Sequence, residues 1–163
     1  MPSAQEVVAA IVTRLQDADA PTETRVDTVR GAFGRRKLRR VGPVWRLGAL
    51  CLSAEGAVFA TGDVLVVTEP THPNHRSALA VERNELRSLA RRAGVKAGET
   101  IVLDARPLDL DVPAAPLVAT SDGLGVIWTP GGTSIPLAAY LAERSDLLIR
   151  ASEDSPGERD RPS

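Results

Sequence analysis

The sequence has little of the material that disulfides, metal clusters or membrane helices require. It contains one cysteine, Cys51, in 163 residues, so neither a disulfide framework nor a thiolate metal cluster is available. Aromatic residues make up 3% of the chain, and the core is therefore expected to consist mainly of Leu, Val, Ile and Ala. No stretch approaches the roughly 20 apolar residues of a membrane helix, and the N-terminus lacks the pattern of a signal peptide. We therefore expect a cytoplasmic protein that does not associate with a membrane.

The composition is that of an ordinary globular domain, but its charges are segregated along the chain. Apolar residues make up 43% and charged residues 25%, and the net charge is −1. Residues 25–46 hold eight Arg or Lys against one Asp, and residues 76–96 hold six against two Glu. Residues 97–163 hold eleven acids against five Arg. Such segregation is typical of an anion-facing surface or of a fold whose halves pair with each other.

The most apolar continuous stretch runs from Val41 to Pro70 and predicts a central β-hairpin. Its two apolar runs, 44–52 and 57–67, are rich in Leu and Val and are separated by a four-residue link that ends in Gly56. We expect the two runs to pair as adjacent antiparallel strands. Gly62 lies inside the second run, where a glycine indicates a bulge or a bend.

Three helices are predicted around the strands. A capping box formed by Ser3 and Glu6 begins the first helix, and the second spans 75–93 before a C-terminal Gly94. The third ends at about Arg150. The predicted order is α-β-β-β-β-α-β-β-β-α. Short turns between successive strands favour an α+β fold, with a single, mostly antiparallel β-sheet and helices covering one face.

The predicted domain organisation follows from composition. Residues 1–150 are expected to form a single α+β domain. Residues 151–163 are polar and charged and bury too little apolar surface to fold, so they are expected to form a disordered tail.

Two charged residues fall on apolar helical faces. Glu82 lies between Leu79, Leu86 and Leu89 on the second helix, and Arg144 lies inside the apolar stripe of the last helix. A buried charge costs several kcal/mol unless it is paired, so the pattern predicts that Glu82 and Arg144 pair across a helix–helix contact. The alternatives are that Glu82 pairs with a strand arginine or lies at a helix edge, and that the Arg144 side chain snorkels to solvent.

A basic segment over 35–46 predicts a strand with a charged face or a loop. Its binding candidates are Arg35, Arg36, Lys37, Arg39, Arg40 and Arg46. Clustered Lys and Arg bind phosphates, and exposed aromatic residues stack on bases. Phe33 and Trp45 flank the segment, and Trp45 has the basic neighbours on a predicted strand. The sequence pI of about 6.1 is lower than that of typical nucleic-acid-binding modules.

The residues that could support catalysis or metal binding are few. His72, His75 and Glu82 could supply ligands in principle, but their spacing is not that of a zinc site, and polar loop residues are the alternative interpretation. Cys51 lies among apolar neighbours and is expected to be a buried structural thiol. We therefore expect no metal, no cofactor and no catalytic residues.

Three segments carry a resemblance to a known family. The sequences GAFGRR at 31–36, VGPVWRLG at 41–48 and ATG at 60–62 resemble a family of small uncharacterised proteins from high-GC bacteria. The resemblance extends to the Gly131-Gly132 pair and the last helix, and so covers nearly all of the chain before the tail. Some members of that family are labelled glutaminase. The resemblance supplies no catalytic residues, and this sequence contains no nucleophile–base arrangement that corresponds to that label.

These observations leave three functional hypotheses. The leading one is a non-enzymatic α+β binding domain whose partner is another protein or a second copy of the chain. The second is a small enzyme or ligand binder with a site around Glu82, His75 and Arg46. The third is nucleic-acid binding through the 35–46 segment, which requires that segment to share one surface with an arginine stripe of the second helix, namely Arg76, Arg83 and Arg87.

Overall fold

The structure is a computed structural model that describes residues 2–67 and 78–154. Three α-helices lie in these residues: α1 (Ala4–Asp17), α2 (Ala78–Arg92) and α3 (Leu137–Glu153). No helix in the described part of the chain is long and apolar enough to cross a bilayer.

Ten strands lie in the described residues and form two sheets. They are β1 (Glu23–Arg30), β2 (Arg36–Leu47), β3 (Leu50–Leu52), β4 (Val58–Ala60), β5 (Asp63–Val66), β6 (Thr100–Leu103), β7 (Arg106–Leu108), β8 (Leu117–Thr120), β9 (Gly123–Val126) and β10 (Ile135–Pro136). The larger sheet has the order β5-β6-β1-β2-β3-β4-β7, and in it β1 and β6 are parallel. The smaller is antiparallel, in the order β10-β9-β8. The predicted α+β class and element order are confirmed, with a small second sheet beside the single sheet that the sequence predicts.

The central hairpin is confirmed in its middle and wrong at its ends. β3 and β4 pair antiparallel, with Cys51 opposite Phe59. The predicted strand 44–52 is instead two strands, because the chain turns at Gly48, whose φ of 66° suits a glycine. The predicted strand 57–67 is also two strands: the chain breaks at Gly62, as the mid-strand glycine indicates, and β5 then pairs with β6.

The described residues divide into two compact units, which we name by their net charge. The acidic unit comprises 2–22, 44–60 and 106–154, and the basic unit comprises 23–43, 61–67 and 78–105. Strand β2 contributes residues 36–43 to the basic unit and residues 44–47 to the acidic unit. The single domain expected over 1–150 stays a prediction.

The core of the acidic unit joins α1 and α3 to β2, β3, β4, β8 and β9. The capping box of α1 is confirmed, since the Ser3 hydroxyl accepts from the Glu6 N–H and the Glu6 carboxylate accepts from the Ser3 N–H. Tyr140 on α3 is fully buried, and its hydroxyl donates to the Leu47 carbonyl and accepts from the Ala49 N–H. This side chain therefore satisfies the backbone on both sides of the β2–β3 turn.

The core of the basic unit joins α2 to its strands. Its buried residues include Val26, Leu38, Leu65, Val67, Ala90, Val95, Ile101 and Leu103. Gly94 is confirmed as the glycine after α2: it has φ 93°, and the bonds Gly94 N–H to Arg91 O and Val95 N–H to Ala90 O complete a Schellman motif. The predicted apolar face of α2 is wrong in its first turn, because Leu79 is exposed.

The C-terminal helix is longer than predicted. α3 continues to Glu153, three residues past Arg150, so the first residues of the predicted tail are helical. Residues 155–163 of that tail lie outside the described residues.

Candidate functional site

A hairpin loop joins β1 to β2 and presents an aromatic side chain to solvent. The Gly31 N–H donates to the Arg35 carbonyl at 2.7 Å and closes the loop. Phe33 has φ 62° and ψ 24°, and Gly34 follows with φ 72°. The left-handed conformation costs a residue other than glycine about 1–2 kcal/mol. Phe33 nevertheless adopts it and is fully exposed at the hairpin tip.

The basic residues of β2 separate onto its two faces, because alternate residues of a strand point to opposite sides. Leu38 is 1% exposed and belongs to the core of the basic unit. Arg36 and Arg40 share its face. Lys37 and Arg39 lie on the other face, and both are exposed. The 35–46 segment is thus a strand with a charged face, which is one of the two predicted alternatives.

The cations on the Leu38 face are bound to acids of the same unit. Nη2 of Arg36 lies 3.5 Å from Oε2 of Glu85 on α2. Nη2 of Arg40 lies 3.2 Å from Oε1 of Glu99, and its Nη1 donates to the Gly94 carbonyl at 3.2 Å. These two arginines therefore help to hold α2 and its following loop against the sheet.

Glu99 is the centre of this structural network. Its carboxylate accepts from the Lys96 N–H at 2.8 Å and from the Thr24 hydroxyl at 3.0 Å, besides the Arg40 contact. The hydrogen bond from the Lys96 backbone is the main cause that lowers the pKa of Glu99, with help from Thr24 and the charges of Arg40 and Lys96. Burial acts in the opposite direction but is outweighed. Glu99 is thus a carboxylate that anchors the fold.

The cations on the other side of β2 are not engaged in this way. No ion pair or side-chain hydrogen bond within the described residues involves Arg35, Lys37 or Arg39, and all three are exposed. Because alternate strand residues are about 6.7 Å apart, the three charges form a row about 13 Å long. The row begins two residues after Phe33.

The hairpin extends past the strands that flank it. β6 pairs with β1 only from Thr24 to Val26. Beyond that pairing, the Asp104 carboxylate accepts from the Thr28 N–H at 2.7 Å and from its hydroxyl at 2.8 Å. β3 pairs with β2 only from Trp45 onward. Within the described part of the chain, the tip and its basic row are therefore flanked by neither β6 nor β3.

The sequence favours Trp45 as the aromatic residue that stacks on a ligand beside the basic segment, and this prediction is wrong. Trp45 is 5% exposed, and its indole N–H donates to the Ala20 carbonyl at 3.1 Å, so it cannot stack on a ligand. The exposed aromatic residue is Phe33 instead. The signal for it is the Gly31-Ala32-Phe33-Gly34 sequence, because glycines on both sides of a lone aromatic residue indicate a turn rather than a strand.

The predicted buried charge on α2 is wrong, and Arg144 has a different environment from the one predicted. Glu82 is exposed and needs no buried partner. Arg144 is half-buried, and its guanidinium carbon lies 5.4 Å from the ring centroids of both Trp128 and Tyr140. The rings stabilise this cation through their π faces, which replaces the predicted ion pair.

The site predicted around Glu82, His75 and Arg46 stays a prediction. His75 lies outside the described residues, Glu82 is an exposed residue of the basic unit, and Arg46 is a half-buried residue of the acidic unit. Cys51 is fully buried, as expected of a structural thiol. Within the described ranges no group of three or more His, Cys, Asp or Glu residues could hold a metal ion.

The arginine stripe of α2 is only partly available. Arg76 lies outside the described residues, and Arg83 is exposed. Arg87 donates to the Val66 carbonyl at 3.4 Å and to the Asn84 side chain at 3.2 Å, so it helps to attach α2 to β5.

A shallow depression in the acidic unit lies beside α1 and is lined by Ala10, Thr13, Arg14, Asp17, Ala18 and Ile149. Its cation, Arg14, forms an ion pair with Asp146 and donates to the buried Ser145 hydroxyl. The depression thus offers mainly small side chains and a guanidinium that is already paired. It is a weaker candidate than the hairpin.

Comparisons with known proteins do not identify a relative. No family model matches the chain, and no curated protein or solved structure is significantly similar to it. The resemblance to a family from high-GC bacteria therefore stays a prediction.

Proposed function

We propose that the protein acts by binding rather than by catalysis, and that the β1–β2 hairpin binds a polyanion. The observation that carries the proposal is Phe33, a fully exposed aromatic residue at the hairpin tip, beside the exposed cations Arg35, Lys37 and Arg39.

The position of Phe33 is not accounted for by the stability of the fold. Burying a Phe side chain contributes about 1.5–3 kcal/mol, and Phe33 forgoes this while also adopting a left-handed backbone. Residues placed against their own stability preference occur mainly at functional sites. Contact with a ligand is the simplest explanation for this loss of stability.

The charge of the basic unit supports an anionic ligand. Its described residues contain 12 Arg and Lys against 7 Asp and Glu, which gives a net charge of +5. Arg36 and Arg40 are paired with acids, whereas the row on the opposite face is open to solvent. A row of exposed cations attracts anions over about 8–10 Å at physiological salt.

Retention on immobilised heparin tests this proposal, because heparin is a linear polyanion. A triple variant, Arg35→Ala with Lys37→Ala and Arg39→Ala, should elute at clearly lower salt than the wild type. The matched control removes three exposed arginines of α2, through Arg83→Ala, Arg91→Ala and Arg92→Ala. It should elute close to the wild type. Equal shifts for the two triple variants would mean that net charge alone determines retention, and would overturn the proposal.

A second candidate is self-association or protein binding through Trp128 in the acidic unit. Trp128 is 50% exposed and lies against Arg144, and Trp and Arg are the residue types most enriched at binding hot spots. Sedimentation equilibrium of the wild type should then show a dimer that Trp128→Ala weakens. A monomer at all concentrations would remove self-association.

A further inference from the structure

We infer that the polyanion is single-stranded nucleic acid, with Phe33 stacked on an unpaired base and the Arg35, Lys37 and Arg39 side chains on the phosphates. The inference rests on the proposed function and names its ligand class. Aromatic stacking next to a basic track is the usual way in which proteins bind single strands without sequence preference.

The shape of the basic row fits a linear ligand. Its three cations are about 6.7 Å apart along β2, and one nucleic-acid strand advances about 3.4 Å per nucleotide in stacked form. Neighbouring cations are thus separated by about two nucleotide steps, and the whole row spans about four steps, or about five nucleotides. With one more nucleotide at the tip, the footprint is about six.

A bilayer fits this row less well. A membrane would meet the hairpin at its tip, and Arg39 lies about 13 Å along the strand from Arg35. That distance exceeds the screening length of about 8–10 Å at physiological salt, so the far end of the row would contribute little. A strand lying along β2 instead contacts all three cations.

A duplex or an acidic peptide also fits less well. Bases in a duplex are already stacked, so the insertion of Phe33 would first require them to separate. Peptide hot spots fill pockets, whereas Phe33 is fully exposed at a loop tip. An open aromatic face suits an unpaired base.

Fluorescence anisotropy with a labelled oligo(dT) about twice the estimated footprint tests the inference. Phe33→Ala should weaken binding by about 5- to 150-fold, the range found when stacking aromatic residues are removed. Phe33→Trp should keep the affinity, and Phe33→Leu should lose it, because leucine is apolar but cannot stack. Val112→Ala is the control, since Val112 is also an exposed apolar residue, in the acidic unit. Thermal melting should be unchanged by all four substitutions.

The salt dependence tests the basic row separately from Phe33. Three phosphate contacts on a single strand predict a slope of about −2 for the logarithm of the association constant against the logarithm of salt concentration. Lys37→Ala should reduce the magnitude of that slope by about 0.7, whereas Phe33→Ala should leave it unchanged.

The contrary outcomes are distinct for the ligand and for the proposed function. Tighter binding to a duplex of the same length, or to phosphatidylcholine vesicles containing phosphatidylserine, would overturn the single-strand assignment. So would equal affinities of Phe33→Leu and the wild type for oligo(dT). If oligo(dT) does not bind at low salt while heparin retention still depends on Arg35, Lys37 and Arg39, the inference fails and the proposed function stands. If neither probe depends on these residues, both fail.

Discussion

The two units use aromatic residues in opposite ways. The chain has five aromatic residues, and four of them belong to the acidic unit. Three of these four, Trp45, Phe59 and Tyr140, are buried. The basic unit holds one, Phe33, and exposes it completely. In a protein this poor in aromatic side chains, the full exposure of Phe33 is the observation on which the proposed ligand contact rests.

The charges of the two units differ as well. The described residues of the acidic unit hold 5 Arg against 11 Asp and Glu, a net charge of −6, whereas the basic unit carries +5. Strand β2 of the basic unit also divides its cations by face: Arg36 and Arg40 stabilise the fold through Glu85 and Glu99, whereas Lys37 and Arg39 on the other face have no ion pair within the described residues. Strand alternation thus places the ion-paired arginines and the exposed basic row on opposite faces of β2.

The largest expected loss of stability comes from shortening a core leucine, and strand β2 allows the two cores to be compared because it contributes a leucine to each. Leu38 belongs to the basic core and Leu47 to the acidic core, and each is 1% exposed. Leu38→Ala and Leu47→Ala should each lower the free energy of unfolding by about 2–5 kcal/mol, because each leaves a cavity. Denaturant unfolding followed by far-UV circular dichroism measures this loss.

Val41→Ala, on the same strand but exposed, is the control for both leucines and should cost less than about 1 kcal/mol. A similarly small loss for either leucine would contradict the assignment of that core. Trp fluorescence adds a signal for the unfolding of the acidic unit, because both tryptophans belong to it, whereas circular dichroism follows the whole chain.

The second effect concerns the break between β4 and β5, where the chain leaves the acidic unit for the basic one. A Cβ at Gly62 would collide with the carbonyl oxygen of Leu103, and backbone cannot move aside as a side chain can. Gly62→Ala should therefore cost about 3 kcal/mol or more. Gly42→Ala is the matched control, since nothing lies within 4 Å of its Cβ position. Equal melting temperatures for the two variants would refute this packing.

The third effect is confined to the acidic unit. Tyr140→Phe removes the hydroxyl that bonds the Leu47 carbonyl and the Ala49 N–H, at 3.1 and 2.8 Å. Unsatisfied buried groups cost about 1–3 kcal/mol, and chemical denaturation should show a loss of this size. Trp128→Phe, which keeps a ring beside Arg144, should lose less. The reverse ranking would show that the β2–β3 turn does not depend on Tyr140.

The smallest effect is a pH dependence in the basic unit. The folded state lowers the pKa of Glu99 from its ordinary 4.5, so the unfolded chain takes up the proton more readily. The stabilisation by this carboxylate is therefore complete above pH 4.5 and is lost as the pH falls through the folded pKa. The stability difference between the wild type and Glu99→Gln should shrink on acidification. A constant difference across that range would exclude this role.

The sequence identified the elements whose signals are local. The capping box of α1 and the Gly94 end of α2 are decided by a few neighbouring residues, and both are as predicted. The pairing of β3 with β4 also follows from a short Gly-ended link. The predicted hairpin is wrong at its ends because the chain turns at Gly48 and breaks at Gly62. The glycine at 62 indicates a bulge or a bend there, but nothing in the apolar run around Gly48 indicates a turn.

Some features of the candidate site are likewise predictable from the sequence, and others depend on tertiary structure. The sequence alone predicts the cluster of basic residues in the part of β2 that precedes its pairing with β3, because such a cluster is visible in the order of residues along the chain. Which of them form ion pairs depends on the tertiary structure, because Arg36 and Arg40 meet Glu85 and Glu99 only after α2 and its following loop pack on the sheet. Tertiary structure also decided which aromatic residue is available, since long-range packing buries Trp45 and leaves Phe33 exposed. Contacts between residues far apart in sequence determine which side chains are buried and which charges pair. Helical or strand periodicity shows only which residues share a face. The prediction that Glu82 is buried is wrong because the face it shares with leucines is exposed at that position.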